Sequence, residues 1–207
     1  MLDPLLLMLR SAVVGRSLSG FGVFMSRTLS NTSFNTVFQD FESTAFRLEA
    51  LDVYAVADEA VELGRFLSGE PLRRELNQGW SDLVRGATAA GKRVSRVHLV
   101  TLPLSAYIRF EIQWGYLYSS DAGESIHLMD REKWRSHSAD EIGDFWLFDD
   151  ELLFRMQYGP AGDFNGVIPE DDPSIVGRHR QYRDQLMTQA VPLRDYLINE
   201  RTGKECL

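Results

Sequence analysis

DFWLFDDELLFRMQY, Asp144 to Tyr158, is the stretch on which the fold turns. Two apolar, aromatic-rich runs meet at three consecutive acids, Asp149, Asp150 and Glu151. Phe145, Leu147, Phe154 and Met156 recur at the two-residue spacing of strands. Asp tolerates the backbone conformations of a tight turn. The acids therefore read as a hairpin tip. A metal cluster would need a third ligand at a recognisable spacing, and none is present.

Outward from this hairpin, strands are expected at 144–149, 152–158 and 164–168, the last two joined by GPAGD. A helix follows from DPSIVGRHRQYRDQLMTQA, with Asp172 or Ser174 at its cap and Pro173 in its first turn. Pro192 breaks it before LRDYLINERT. Upstream, VSRVHLVTLP and ESIHLMDR read as strands, and LSAYIRFEIQWGYLYSSDAGE as a helix opening at Ser105. REKWRSHSADEIG reads as a polar connection. DEAVELGRFLSGEP and WSDLVRGATAAGKR give two further helices. Phe34, Phe38, Phe41, Ala45 and Leu48, spaced by three and four, predict one amphipathic helix across the whole segment. The expected fold is α/β (α+β) and single-domain: N-terminal helices, then a mixed sheet with a C-terminal β-meander and a long C-terminal helix. Residues 1–30 read as a poorly ordered extension, 31–202 as the domain and 203–207 as a tail.

Composition narrows function. The 207 residues are 44% hydrophobic and 25% charged, as in an ordinary globular protein. The net charge of −8 argues against direct nucleic-acid binding, which draws on excess Lys and Arg. Lys92, Arg93 and Arg96 form one local basic cluster and read as the solvated entrance to a strand. The single cysteine, Cys206, excludes an internal disulfide and a Cys-based zinc site. It fits a reducing cytoplasm. Asp3, Arg10 and Arg16 interrupt the apolar N-terminus, so it reads neither as a signal peptide nor as a membrane span. No cofactor or metal is implied. No Walker loop, GxGxxG, HExxH or GxSxG occurs.

The phrases FQDFESTAFRLEALDVY, LSAYIRFEIQWGY, DFWLFDDELLFRMQY, GDFNGV and DPSIVGRHRQYRDQLMTQAVPLRDYL together resemble an actinobacterial family, the domain of unknown function 6879. The resemblance covers about three-quarters of the chain, from Phe38 to Leu197. It implies a setting beside helix-turn-helix regulators. The C-terminal portion also resembles a single, degenerate half of the phospholipase D fold, which some regulators use as a sensor. Catalysis in that superfamily needs a Lys two residues after a His. Here His98, His127, His137 and His179 are followed at that offset by Val100, Met129, Ala139 and Gln181.

Two constellations remain as candidate ligand sites. Tyr107, Arg109 and Glu111 share one face on a strand, whereas on a helix Arg109 points away from the other two. They read either as an anion-recognising pocket or as a salt bridge between elements. His179 and Arg183, one turn apart, form a possible anion-binding helix face or a solvated one. Trp80 and Trp134, beside polar connections, are candidate partner-binding residues. The leading expectation is a non-catalytic, cytoplasmic binding module with a protein partner, either a helix-turn-helix regulator or a paralogous small protein. It allows a small anionic ligand and involves no direct nucleic acid or membrane contact. The alternatives are an enzyme acting on a phosphorylated or nucleotide-like molecule through Arg109, Glu111, His179 and Arg183, and a toxin-like effector neutralised by its partner.

Overall fold

The computed structural model describes residues 31–73, 75, 77–134 and 142–202. The expected extension at 1–30, the tail at 203–207 and residues 135–141 of the polar connection lie outside them.

The element order begins with α1 (Asn31–Asp40), β1 (Thr44–Glu49), α2 (Ala57–Leu67), α3 (Gln78–Ala89) and β2 (Arg93–Val100). Next comes α4 (Ala106–Glu111), which runs through a π-helical turn (Ile112–Tyr116) into α5 (Leu117–Ala122). Then come β3 (Ser125–Asp130), α6 (Arg131–Trp134), β4 (Phe145–Phe148), β5 (Leu152–Tyr158) and β6 (Phe164–Glu170). The chain closes with α7 (Pro173–Gln189), β7 (Val191–Pro192) and α8 (Leu193–Thr202). The strands form one mixed sheet of order β6-β5-β4-β1-β2-β3-β7. β1, β2 and β3 are parallel, and β4, β5, β6 and β7 pair antiparallel to their neighbours. Mixed α/β architecture, the meander and the long helix are as the sequence predicts.

The predicted helix from Phe34 to Leu48 is corrected to a helix followed by a strand. Its apolar spacing is helical, yet TAFRLE also alternates in period two. β1 pairs on both edges, with β2 and with β4, and that pairing overrides the local preference. Ala45, Arg47 and Glu49 face one side of the sheet, Phe46 and Leu48 the other.

Helices cover both faces. On the first face, Phe34 and Phe38 of α1 and Trp80 and Val84 of α3 pack with Trp146, Phe148 and Phe154. Beside them Tyr107 and Ile108 of α4, Tyr116, and Leu193 and Tyr196 of α8 pack on Val100, Ile126 and Leu128. On the second face, Trp134 of α6 and Val176 and Leu186 of α7 cover Phe46, Leu48, Val97, Leu99, Phe145, Leu147 and Leu153. Ser105 caps α4 by accepting from the Ile108 amide at 3.1 Å. Asp172 caps α7 by accepting from the Ser174 amide at 2.7 Å. No helix among the described residues is long and apolar enough to cross a membrane.

The hairpin tip is built as its sequence suggests. Asp149 and Asp150 both have positive φ, 53° and 64°, and the Glu151 amide donates back to the Phe148 carbonyl at 3.0 Å. Asp149 does more than turn the chain. Its carboxylate accepts from the backbone amides of Glu42 (2.8 Å), Ser43 (2.7 Å) and Thr44 (2.9 Å), fastening the entry to β1. Asp150 pairs with Arg183 at the surface. Among the described residues no group of three or more His, Cys, Asp or Glu is arranged to hold a metal ion.

The two acids therefore differ in expected effect. Asp150→Asn should change stability by less than about 1 kcal/mol, because an exposed ion pair contributes little. Asp149→Ala should cost about 1–3 kcal/mol, the range for stranding hydrogen-bonded partners. Partial burial pushes the Asp149 carboxyl up, but its bonds from Glu42, Thr44 and Ser43 outweigh that and hold it below its ordinary value. Its contribution is thus complete at neutral pH and is lost as pH falls through the lowered value. Urea midpoints for parent and variant should converge in acid, and Mg²⁺ or Ca²⁺ should leave the parent's melting temperature unchanged.

Candidate functional site

β1 lies between a parallel neighbour, β2, and an antiparallel one, β4. From β1 the chain builds β2 and β3 on one side, then returns to build β4, β5 and β6 on the other. This reversal is a topological switch point. In open α/β sheets, ligands bind outside the carboxyl ends of the strands at such points. Here the carboxyl end of β1 holds a dense group of buried ionisable side chains.

Strand alternation aims Arg47 and Glu49 of β1 and Arg96 and His98 of β2 at the first face. All four are buried, and His98 is 0% exposed. Arg96 donates through Nη1 to Glu49 Oε1 (2.7 Å) and through Nε to Glu124 Oε1 (2.9 Å). Glu124 also accepts from Trp80 Nε1 at 2.8 Å and from Ser119 Oγ. Arg47 Nη2 donates to Asp144 Oδ2 (2.7 Å) and to the Tyr158 hydroxyl (3.1 Å). Asp144 accepts further bonds from the Tyr54 hydroxyl (2.7 Å) and the Ala50 amide (2.9 Å). Tyr116 donates to Glu49 Oε2 at 2.7 Å and touches His98 Nδ1 at 2.6 Å. His98 Nε2 meets the Leu51 carbonyl at 2.8 Å.

Tyr116 ends the π-helical turn between α4 and α5. Asn77 donates to the carbonyl of Trp114 within that turn. π-turns of this kind recur at functional sites.

Burial sets the protonation of the group, and the charges modify it. Burial pushes Glu49 up, but Arg96, His98, Arg47 and the Tyr116 bond outweigh it and hold Glu49 at about 2. Burial pushes His98 down against the upward pull of Glu49 and the Leu51 carbonyl. For Asp144 burial prevails and the carboxyl rises, although Arg47 and Tyr54 oppose the shift. Tyr54 and Tyr116 rise far above a free phenol, through burial and then the neighbouring carboxylates.

The residues singled out from sequence fall elsewhere. Tyr107 points inward from α4 and donates to Glu59 Oε2 at 2.7 Å, and Glu111 is buried on the same side. Arg109 is exposed and donates to the Leu104 carbonyl at 2.6 Å. His179 belongs to the opposite face of the sheet. Its Nδ1 meets the Ile175 carbonyl at 2.8 Å, and its ring stands edge-on to Phe145 at 4.8 Å. Burial lowers its pKa. Arg183 is engaged by Asp150 and by Asp184, the latter at 2.9 Å. The two groups lie on different layers, so a single cleft of Arg109, Glu111, His179 and Arg183 does not form. Trp80 and Trp134 are 3% and 0% exposed. They are core residues, one bonded to Glu124 and the other packed from α6 onto the second face of the sheet, and neither offers a surface to a partner.

FRLE falls within the segment whose spacing reads as helical, with Arg47 at an intervening polar position, and SRVH reads as a strand with Arg96 at its solvated entrance. Neither reading brings Arg47, Glu49, Arg96 and His98 together. What hides them from water is the helical layer of α3, α4 and α5. One signal was available: helices were expected on either side of these strands, and that arrangement leaves a sheet no wet face.

A family model described as Domain of unknown function (DUF6879) matches residues 32–198. The chain belongs to that family. No curated protein matches this DUF6879 chain. Among solved structures it bears a weak resemblance to a phospholipase D family member, Nuc from Salmonella typhimurium. The two are 10% identical, with a TM-score of 0.45, over 76% of the DUF6879 chain and 86% of that chain.

Proposed function

We propose that this DUF6879 chain is a non-catalytic binding module that serves a regulatory system through a protein partner, a helix-turn-helix regulator or a related small protein. The observation that carries this reading is the closed state of the switch point. General acid–base or nucleophilic catalysis needs a side chain within bonding reach of a substrate. At the carboxyl end of β1 the ionisable groups are instead bonded to one another, with Arg96 1% and Tyr116 0% exposed. Such a network rigidifies a scaffold. The net charge of −8 supports contact with DNA through the partner rather than directly. Val61 and Leu67 of α2, each 62% exposed, supply apolar surface for an interface.

The test is co-expression with any helix-turn-helix regulator that proves to be encoded beside it, followed by light scattering and DNA mobility shift. A stoichiometric complex is expected, with no shift by this chain alone. Direct DNA binding, or no complex, would sink the proposal. Growth arrest on expression alone, relieved by the neighbour, would favour the toxin-like reading instead.

A further inference from the structure

The contacts around His98 hold one proton fewer than they require. A carbonyl only accepts, so the 2.8 Å contact with Leu51 needs a proton on Nε2. The Tyr116 hydroxyl has a single proton, yet it lies 2.7 Å from Glu49 Oε2 and 2.6 Å from His98 Nδ1. Three contacts need three protons, whereas a neutral imidazole, a phenol and a carboxylate hold two. With two, one contact always sets lone pair against lone pair. In one arrangement Nδ1–H donates to Tyr116 and Tyr116 donates to Glu49, and the contact to Leu51 is then lost. A third proton, taken from solvent onto Nδ1, lets all three bonds coexist and breaks no other bond.

The charge balance points the same way. In the bonded network Arg47 and Arg96 face Glu49, Glu124 and Asp144, two positive charges against three negative. Glu111 is a further buried acid beside Tyr116, and a proton on the ring reduces this negative excess. Every layer around the ring contributes. β1 brings Glu49 Oε2 to 3.6 Å of Nδ1, and Asp144, preceding β4, adds a second anion. Arg96 on β2 repels a charged ring, as burial does. The π-turn supplies Tyr116, and the segment after β1 supplies the Tyr54 ring at 6.2 Å.

That segment, residues 51–56, covers the switch point. The Leu51 carbonyl meets His98, and the Leu51 amide donates to the Tyr54 hydroxyl at 3.2 Å. The Ala55 amide donates to the Gly162 carbonyl at 3.0 Å. Gly162 has a φ of 83°, and a Cβ there would lie 2.6 Å from the Val53 carbonyl oxygen, so the segment rides directly on the β5–β6 turn. We propose that the Glu49–Tyr116–His98 chain is a proton-binding site whose occupancy sets how firmly residues 51–56 are held over the carboxyl end of β1. This does not depend on the partner-binding reading.

The experiment is a titration of the full chain between about pH 5 and 8, the range in which histidines change charge. Nitrogen-15 NMR would follow the His98 ring, identified by its loss in His98→Gln, alongside amide exchange at Leu51 and Ala55 corrected for intrinsic pH dependence. On acidification both ring nitrogens should become protonated, while the two amides slow together by about fivefold, the effect of one hydrogen bond. In Tyr116→Phe, which keeps the ring, the amide response should vanish. A ring that keeps one neutral tautomer throughout would overturn the proposal. So would a titrating ring with unresponsive amides, or an undiminished response in Tyr116→Phe.

Discussion

Arg96→Met should cost about 3–5 kcal/mol, the range for breaking a buried ion pair by removing one partner. Arg96 bridges Glu49 and Glu124 inside the first face, and its guanidinium stands 5.4 Å from the Tyr116 ring centre and 5.9 Å from that of Trp80. Methionine preserves much of the stacking volume. It leaves two carboxylates buried without their shared counter-ion. The magnitude thus comes from the stranded acids and not from the lost attraction. Adding Glu49→Gln and Glu124→Gln to Arg96→Met should recover a substantial part of the loss, as removing all the charges of a buried group often does. Urea denaturation of the parent, single and triple variants measures both. A loss under about 1 kcal/mol in the single variant would mean that water reaches the acids. Acid should reproduce part of the effect. Glu49 is held at about 2, so its contribution is complete above the ordinary carboxylate range and disappears as pH falls through that value.

Phe148→Ala is the second large loss, about 3–5 kcal/mol, as for other buried aromatic truncations. Phe148 is 0% exposed and is ringed by aromatics: Phe38 at 5.0 Å, Trp146 at 5.5 Å in a stacked arrangement, Phe41 and Phe154 at 5.9 Å, and Phe34 at 6.3 Å. Several of these rings come from α1 and its exit, whereas Phe148 comes from β4. Removing it therefore loosens the attachment of α1 to the sheet as well as opening a cavity. Protection of α1 amides should fall with the denaturation midpoint. Leu152→Ala, on the same hairpin but 37% exposed, serves as the control and should cost less than about 1 kcal/mol.

The hairpin was legible because its information is local. Alternation and turn chemistry lie within fifteen residues, and the positive φ values of Asp149 and Asp150 suit Asp. The same holds for the caps at Ser105 and Asp172. β1 was not legible. Its helical spacing from Phe34 onward is real, and what makes it a strand is pairing with Val94 on one side and Phe148 on the other, far along the chain. The polar group was hidden for a related reason. Arg96 and His98 are identifiable as strand residues, whereas Arg47 and Glu49 share the helical spacing of β1, and whether such a face meets water or helices is settled by tertiary packing. Trp80 and Trp134 failed in the opposite direction, since polar sequence neighbours suggested a surface position that their burial contradicts.

The placement of β1 has a consequence for synthesis. Among the described strands it is the first to leave the ribosome, yet its β4-facing edge, at Ala45, waits for Phe148. At ordinary translation speeds of about 5–20 residues per second, that wait is about 5–20 s. Throughout it, a strand carrying Phe46 and Leu48 presents an unpaired edge to every other nascent chain nearby. A trigger-factor-like holdase that shields this edge should raise the soluble yield, and slowing translation between residues 50 and 145 should lower it.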